Sequence, residues 1–164
     1  NRFINSDENL FDVIKAKLYF KYNIKEMYWV IQDMKNVEDK KYYIYYYDDM
    51  NPASQIKIQF AGRDRETFKD AIYYNYAIPY RCHSASPDLG INNYNFAINP
   101  ENYNQPSGSA NFSRIDDTSI KVQLQQKVLN DIKFMNKEFR FSIYAKNINI
   151  LRVISGMARL AFYE

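Results

Sequence analysis

The sequence predicts an all-β fold, built as a sandwich of two antiparallel sheets with one short helical insertion. Aromatic residues make up 17% of the chain, mainly as 16 Tyr and 11 Phe, and such residues favour half-buried pleated surfaces. Several segments alternate between apolar and polar residues, which is the period of a strand with one buried face. No regular succession of strands and helices is present, so a sandwich is favoured over a parallel α/β sheet.

Five segments show this alternation clearly. Their apolar positions are Leu18, Phe20 and Tyr22; Ile56, Ile58 and Phe60; Tyr94, Phe96 and Ile98; Ile120, Val122 and Leu124; and Phe139, Phe141 and Ile143. Three runs at 27–31, 42–47 and 150–154 are apolar on both faces and predict either central strands covered on both sides or strands covered by a partner. A last alternation lies at 158–162. We therefore expect roughly eight to ten short strands.

One helical segment is predicted over 66–76. The apolar residues that recur there at every fourth position are Phe68, Ile72 and Tyr76. The polar turn 62–65 precedes them, and Pro79 is expected to end the segment. The stretches 79–92 and 99–109 contain Pro and Gly and are predicted to be loops.

Single residues within the predicted strands and turns also carry expectations. Gly156 separates two apolar strands at a point where a tight turn is needed, so we expect a positive φ there. Arg114 and Arg152 lie in otherwise apolar strands. They are predicted either to face water or to hold loops or neighbours through bidentate hydrogen bonds.

Charge and cysteine content exclude several classes of protein. The formal net charge is +3, with Lys and Arg scattered along the chain, which is weak for a dedicated nucleic-acid binder. Cys82 is the only cysteine, so an intrachain disulfide is impossible and the Cys…Trp…Cys pattern of immunoglobulin domains is absent. No apolar run is long enough for a helix to span a bilayer.

No set of residues in the sequence predicts catalysis or metal binding. Cys82 and His83 are adjacent, but sequence neighbours rarely face each other usefully and no second histidine exists. One Cys and one His cannot build a zinc site, and the pairs Asp48-Asp49 and Asp116-Asp117 are typical of turns as well as of calcium ligands. With four Gly in total, the chain has no phosphate-binding loop. We predict that the protein is not an enzyme and has no catalytic, cofactor-binding or metal-binding residues.

The tyrosine-rich run 42–47 is the best candidate for stacking on sugars or bases. We favour the simpler explanation of the same run, a strand packed on both faces with its phenols hydrogen-bonded or at the rim. A carbohydrate-binding β-sandwich is therefore a second hypothesis for function, and a single-strand nucleic-acid binder is a weaker third.

Three segments contain more specific motifs. Segment 99–116 has Asn-Pro-Glu, then a Gln-Pro-Ser-Gly turn and an Asn-x-Ser-Arg strand, with Asn104 as one additional residue before the turn. Segment 144–162 contains Leu-Arg, Ser-Gly-Met and a final apolar strand, and segment 23–32 contains Lys-Glu-Met-Tyr-Trp, preceded by Ile24 where Pro is more usual. In this order and spacing, the motifs resemble those of the major capsid proteins of nucleocytoplasmic large DNA viruses.

The resemblance implies that residues 1–164 form a single antiparallel, eight-stranded jelly roll, the C-terminal half of a double jelly-roll subunit. A first residue of Asn1 instead of Met fits a piece of a longer polypeptide. The implied partners are the N-terminal jelly roll of the same subunit, two further copies in a homotrimer, neighbouring capsomers and minor capsid proteins. The implied place is an icosahedral virion shell assembled in the host cytoplasm, close to an internal membrane and without direct contact to nucleic acid. No catalytic residue is implied.

Overall fold

The computed structural model describes residues 2–4 and 13–162, with side chains from Ile4 and 13–162. In this part of the chain there are eleven strands: β1 Arg2–Ile4, β2 Val13–Lys17, β3 Asn23–Asp33, β4 Ala53–Phe60, β5 Arg63–Asp70, β6 Asn92–Asn95, β7 Ala110–Asn111, β8 Ser119–Leu124, β9 Phe139–Asn147, β10 Leu151–Ile154 and β11 Met157–Leu160. Three α-helices, α1 Met34–Glu38, α2 Ile78–Cys82 and α3 Gln126–Met135, connect them. A π turn at Tyr73–Ala77 and a 3-10 turn at Phe112–Arg114 complete the elements.

The strands form two main sheets and a separate hairpin. One sheet has the order β1-β9-β3-β6, with β7 pairing to the start of β3. The other has the order β2-β8-β4-β5, and among the described residues β10 pairs only with β11. All these pairings are antiparallel. The predicted antiparallel sandwich is therefore confirmed.

A single hydrophobic core lies between the two main sheets. Trp29 and Phe141 enter it from the first sheet, and Ile58 and Val122 enter from the second. Trp29 contacts Tyr74 edge-on, with 5.3 Å between the ring centroids. All five side chains are at most 1% exposed, and three of them, Ile58, Val122 and Phe141, are positions that the alternation predicted to face the core.

Two predicted strands differ in extent. The alternation at 17–22 does not form a strand, because β2 ends at Lys17, where Leu18 exchanges hydrogen bonds with Thr118. The strand predicted around Tyr94 stops at Asn95, since the next two backbone N–H groups both donate to the Lys25 carbonyl and turn the chain away. Ile98, predicted to face the core, is 82% exposed.

The strand predicted at 42–47 is wrong. This segment is irregular, with one isolated bridge between Tyr47 and Met50. The side-chain amide of Gln32 donates to the carbonyls of Tyr42 and Ile44, so the backbone is held by a side chain instead of a neighbouring strand. Aromatic content alone therefore did not indicate a ladder here.

The helix predicted over 66–76 is displaced. Residues 66–70 belong to β5, and the helical segment runs from 71 to 82. Pro79 lies inside this segment instead of ending it. The preceding π turn, in which the N–H of Ile78 bonds to the carbonyl of Tyr73 five residues earlier, widens the backbone where a proline ring would otherwise crowd the previous turn.

Helix α3 was not predicted. Val128, Leu129 and Ile132 bury its inner face, a spacing that does indicate a helix, but only these few apolar positions carry the signal. The helix ends at Asn136, which adopts a left-handed conformation with φ 52°. None of the helices described is long and apolar enough to cross a membrane.

Two glycines with positive φ should respond differently to the same substitution. A Cβ on Gly90 (φ +92°) would collide with the Tyr45 carbonyl, whereas a Cβ on Gly156 (φ +79°, as predicted) meets nothing within 4 Å. Gly90→Ala should therefore lower the free energy of unfolding by about 2–3 kcal/mol. Gly156→Ala should strain only the exposed hairpin and leave global stability nearly unchanged. Urea unfolding followed by circular dichroism checks both; equal midpoints for the two variants would contradict the assignment.

Candidate functional site: the polar anchor of the 99–109 loop

A cluster of charged side chains, here called the polar anchor, lies where the 99–109 loop meets the first sheet. Its members are Lys25, Glu26, His83, Glu101, Tyr103 and Lys146. Glu26 is on β3, and the antiparallel register places Lys146 of β9 opposite it on one side and Asn95 of β6 on the other. The strand pairing thus fixes the centre of the anchor.

The carboxylate of Glu26 is fully buried, so its partners must come from the protein. Lys146 Nζ lies 3.0 Å from Oε1 as an ion pair, without hydrogen-bond geometry. The Tyr28 hydroxyl donates to Oε2 at 2.8 Å, and His83 Nε2 lies 3.4 Å from the same oxygen. Burial, together with the hydrogen bond to Glu26 and nearby negative charge, raises the pKa of Tyr28 well above its usual value.

Glu101 holds the loop to the end of α2. Its Oε1 accepts hydrogen bonds from the backbone N–H of Ser84 at 3.1 Å and from the Ser84 hydroxyl at 3.2 Å, and it lies 3.3 Å from His83 Nδ1. These contacts, the backbone hydrogen bond first, hold the pKa of Glu101 below its usual range. The imidazole of His83 therefore lies between the two carboxylates of the anchor.

Two lysines hold the middle of the loop. Lys25, itself buried, donates from Nζ to the Pro100 carbonyl at 2.7 Å and lies 4.1 Å above the centre of the Tyr103 ring. Lys146 donates to the Tyr103 hydroxyl at 2.7 Å. The Asn-Pro-Glu motif, which in sequence suggested only a loop, is thus tied to β3 and β9 by charged groups.

The residues considered for catalysis and metal binding do not form such sites in the structure. His83 belongs to the anchor, and its contacts within the described residues are to Glu26, Glu101, Asn95 and the Tyr28 ring, not to the Cys82 thiol. In the described part of the chain, no group of three or more His, Cys, Asp or Glu residues could hold a metal ion.

The Asp pairs and the arginines are also found in turns or on the surface. Asp48, Asp49 and Asp117 have positive φ in turns, which agrees with the interpretation of these Asp pairs as turn residues. Arg114 lies in a 3-10 turn and not in a strand, and Arg152 is exposed on β10. Sequence reasoning missed Glu26 and Lys146 as a pair. A charged pair inside the apolar stretch 24–31 was the available signal for Glu26.

The chain matches the sequence model of the family described as large eukaryotic DNA virus major capsid protein, over residues 4–159. Because this match covers nearly all of the sequence, the chain belongs to that family. Among curated relatives, it is 39% identical over 112 residues to the major capsid protein of Chrysochromulina ericina virus, covering 68% of this chain and 18% of that protein. It is 34% identical over 164 residues to the probable capsid protein 4 of Acanthamoeba polyphaga mimivirus, covering 91% and 30%.

Solved structures show the same fold. A quasi-atomic model of the PBCV-1 virus capsid superposes with a TM-score of 0.71 at 24% identity, covering 93% of this chain and 46% of that one. The Faustovirus major capsid protein gives a TM-score of 0.62 at 16% identity, covering 82% and 30%. The predicted jelly-roll fold and the resemblance are therefore confirmed, and the family is one of structural proteins, not enzymes. The chain spans less than half the length of each of these relatives.

Removing Lys146 should leave the buried carboxylate of Glu26 without its ion-pair partner. We expect Lys146→Met to lower the free energy of unfolding by about 2 kcal/mol, less than for a wholly buried pair because Lys146 itself is 43% exposed. Adding Glu26→Gln should recover part of this loss, because the unpaired charge is then gone. Urea unfolding of the two single variants and the double variant measures the coupling. Simple additivity of the two losses would show that the pair is not coupled.

The depressed pKa of Glu101 predicts a pH dependence of the loop. A carboxyl with a lower pKa in the folded state stabilises the fold above its unfolded pKa, and this contribution is lost as pH falls through the folded value. Hydrogen exchange at the Ser84 amide should therefore accelerate, beyond its intrinsic pH dependence, between about pH 5 and pH 3. Glu101→Gln should abolish this change, and the exposed Glu138→Gln should not. An unaltered exchange profile in Glu101→Gln would count against the anchor.

Proposed function

We propose that the protein is a structural subunit of the icosahedral shell of a large DNA virus. The observation that carries this proposal is the family match over residues 4–159, together with a jelly-roll fold shared with virus capsid structures. Relatives over 30% identical bear the names of capsid proteins. In this role the chain contributes shape and contact surface, and its location is the virion capsid.

We further propose that the chain is one jelly roll, the C-terminal one, of a double jelly-roll subunit. It covers 46% of the PBCV-1 capsid chain and 18–38% of its curated relatives, which leaves room for a second domain of similar size in those proteins. The implied assembly is a homotrimer of pseudo-hexagonal outline that contacts neighbouring capsomers and minor capsid proteins. Assembly in the host cytoplasm near an internal membrane, without contact to nucleic acid, belongs to the same proposal.

The carbohydrate-binding alternative has less support than shell building. It depended on the tyrosine-rich run 42–47, which is irregular and in which Tyr42 and Tyr43 are 57% and 74% exposed. Tyr47 is engaged within the domain, where its hydroxyl donates to Asp131 and accepts from Lys137. No observation in the described residues favours that function over shell building.

Electron microscopy of the purified full-length protein, with light scattering during size-exclusion chromatography, tests the proposal. We expect a discrete trimer with a pseudo-hexagonal outline, because the relatives are subunits of capsids. Salt titration against single-stranded DNA supplies the control, since a nucleic-acid binder loses affinity steeply as salt rises. A monomer with no tendency to associate, or salt-sensitive DNA binding, would contradict the proposed function.

A further inference from the structure

Strand β9 has an open edge along most of its length. On one side it pairs with β3 from Phe139 to Asn147. On the other side, β1 pairs with it through three residues only, from Phe139 to Phe141. Among the described residues, no strand pairs with that side of residues 142–147. An edge of this kind presents backbone N–H and C=O groups that accept a further strand, and natural proteins rarely leave it uncovered.

An open cavity follows the same edge. Its volume is about 530 Å³, and it is lined by Phe141 and Ile143 of β9 and by residues 15–20, at the end of β2 and beyond it. The side chains that lie next to the core are apolar: Ile143 on one side, and Ala16 and Phe20 on the other, are partly buried and pack against it. The sandwich is therefore incompletely closed between β9 and β2. A strand with apolar side chains on its inner face fits this gap.

The register between β1 and β9 determines what a longer β1 would meet. Arg2 lies opposite Phe141 in an antiparallel pair, so each residue further upstream lies opposite the next residue of β9. Six residues before Arg2 would reach the end of β9, about 20 Å along the edge. Directly opposite residues share one face of a sheet, so the second and the fourth residue before Arg2 would lie beside Ile143 and Ala145, on the core side. The third would lie beside Tyr144, which is 57% exposed.

We propose that the six residues that precede Arg2 in the full-length subunit extend β1 as a strand along residues 142–147 of β9. Apolar side chains at the second and the fourth position before Arg2 fill the cavity. The proposal rests on the proposed function, in which this chain is the second jelly roll of a longer subunit. The segment before Arg2 is then the connection to the first jelly roll. As part of the β9 sheet, it fixes that connection to the second jelly roll and limits the motion between the two.

The preceding segment is favoured over a strand from another molecule as the occupant of this edge. Because β1 is already aligned on β9, the direction and register of its extension are fixed and no further loop has to be closed. A strand from another molecule would lose translational and rotational freedom on binding. It would also compete for the same edge with the residues that lead into β1.

Photo-crosslinking in the full-length protein tests which segment covers the edge. Tyr144→p-benzoylphenylalanine is prepared as unlabelled and as nitrogen-15-labelled protein, mixed under assembly conditions, irradiated and analysed by mass spectrometry. We expect cross-links within one chain that end in the six residues before Arg2. The matched control places the same probe at Tyr80, which is 72% exposed on α2, beside β6 at the other edge of the sheet, and should give no link to that segment. Links from position 144 only to other segments, to a second chain or to another protein would overturn the proposal.

Hydrogen exchange tests the pairing and the two inner positions. Aspartate at both the second and the fourth position before Arg2 should accelerate exchange of the 142–147 amides that point away from β3 by at least about tenfold, because a charge does not fit the apolar cavity. The control places aspartate at the third and the fifth position, on the outer face, and should exchange as the parent does. Slow exchange in β4 verifies that the core of each variant is folded. Equal exchange of residues 142–147 in the parent and in the inner-face variant would contradict the pairing.

The two proposals fail in distinguishable ways. If the full-length protein forms trimers and the probe at Tyr144 links elsewhere, the strand extension is wrong and shell building stands. If the full-length protein does not associate, the proposed function fails, while links within one chain from Tyr144 still show the extension. Charged residues at both inner positions of the complete polypeptide would also contradict the extension, because they would face the core.

Discussion

Glu26 has no exposed surface, yet it carries a carboxylate into the middle of the sheet formed by β9, β3 and β6. A buried charge is costly unless an opposite charge and hydrogen bonds replace its water. Lys146 of β9, Tyr28 of β3 itself and His83 after α2 surround the Glu26 carboxylate. His83 also contacts Glu101, and Lys146 also contacts Tyr103, so the 99–109 loop is linked to Glu26 through these two side chains.

This linkage explains how a long irregular loop is held in place. Fixing the backbone of one loop residue costs conformational entropy, on the order of 1–2 kcal/mol per residue. The 99–109 loop has few backbone hydrogen bonds to strands, and charged side chains replace them through the Pro100 carbonyl and the Glu101 carboxylate. The Lys25 ammonium is well suited to the first contact, because a buried lysine can satisfy both a carbonyl and an aromatic ring.

Much of the fold could be predicted from the sequence where burial follows a simple period. The segments around Ile56, Ile120 and Phe139 alternate with period two, and β4, β8 and β9 are found there. Prediction failed where tertiary contacts override local preference. The run at 42–47 has the composition of a strand, but Gln32 takes its carbonyls. In the segment 71–82, the apolar residues spaced four apart face outwards, because Tyr74 and Ile78 occupy the core.

The candidate site was less accessible to sequence reasoning. The motif at 99–101 gave the family resemblance but not a mechanism, since its partners Lys25, His83 and Lys146 are distant in sequence and meet only through strand pairing and the turn after α2. A charge pattern within one segment cannot reveal such a cluster. The signal that could have been used was the pair Lys25-Glu26 among the apolar residues of segment 23–32, because buried charges require partners elsewhere.

Large apolar side chains of the domain lie both in a buried core and on an exposed hairpin, and only the first group stabilises the isolated fold. Between the main sheets, the core side chains are closed off from water, so they stabilise the jelly roll whatever surrounds it. On the β10–β11 hairpin, comparable side chains remain exposed and contribute nothing until a second surface covers them. At about 25 cal/mol per Å² of apolar area, covering even a few hundred Å² supplies several kcal/mol per contact. In the proposed shell this energy would be gained on assembly, so the subunit would fold first and assemble afterwards.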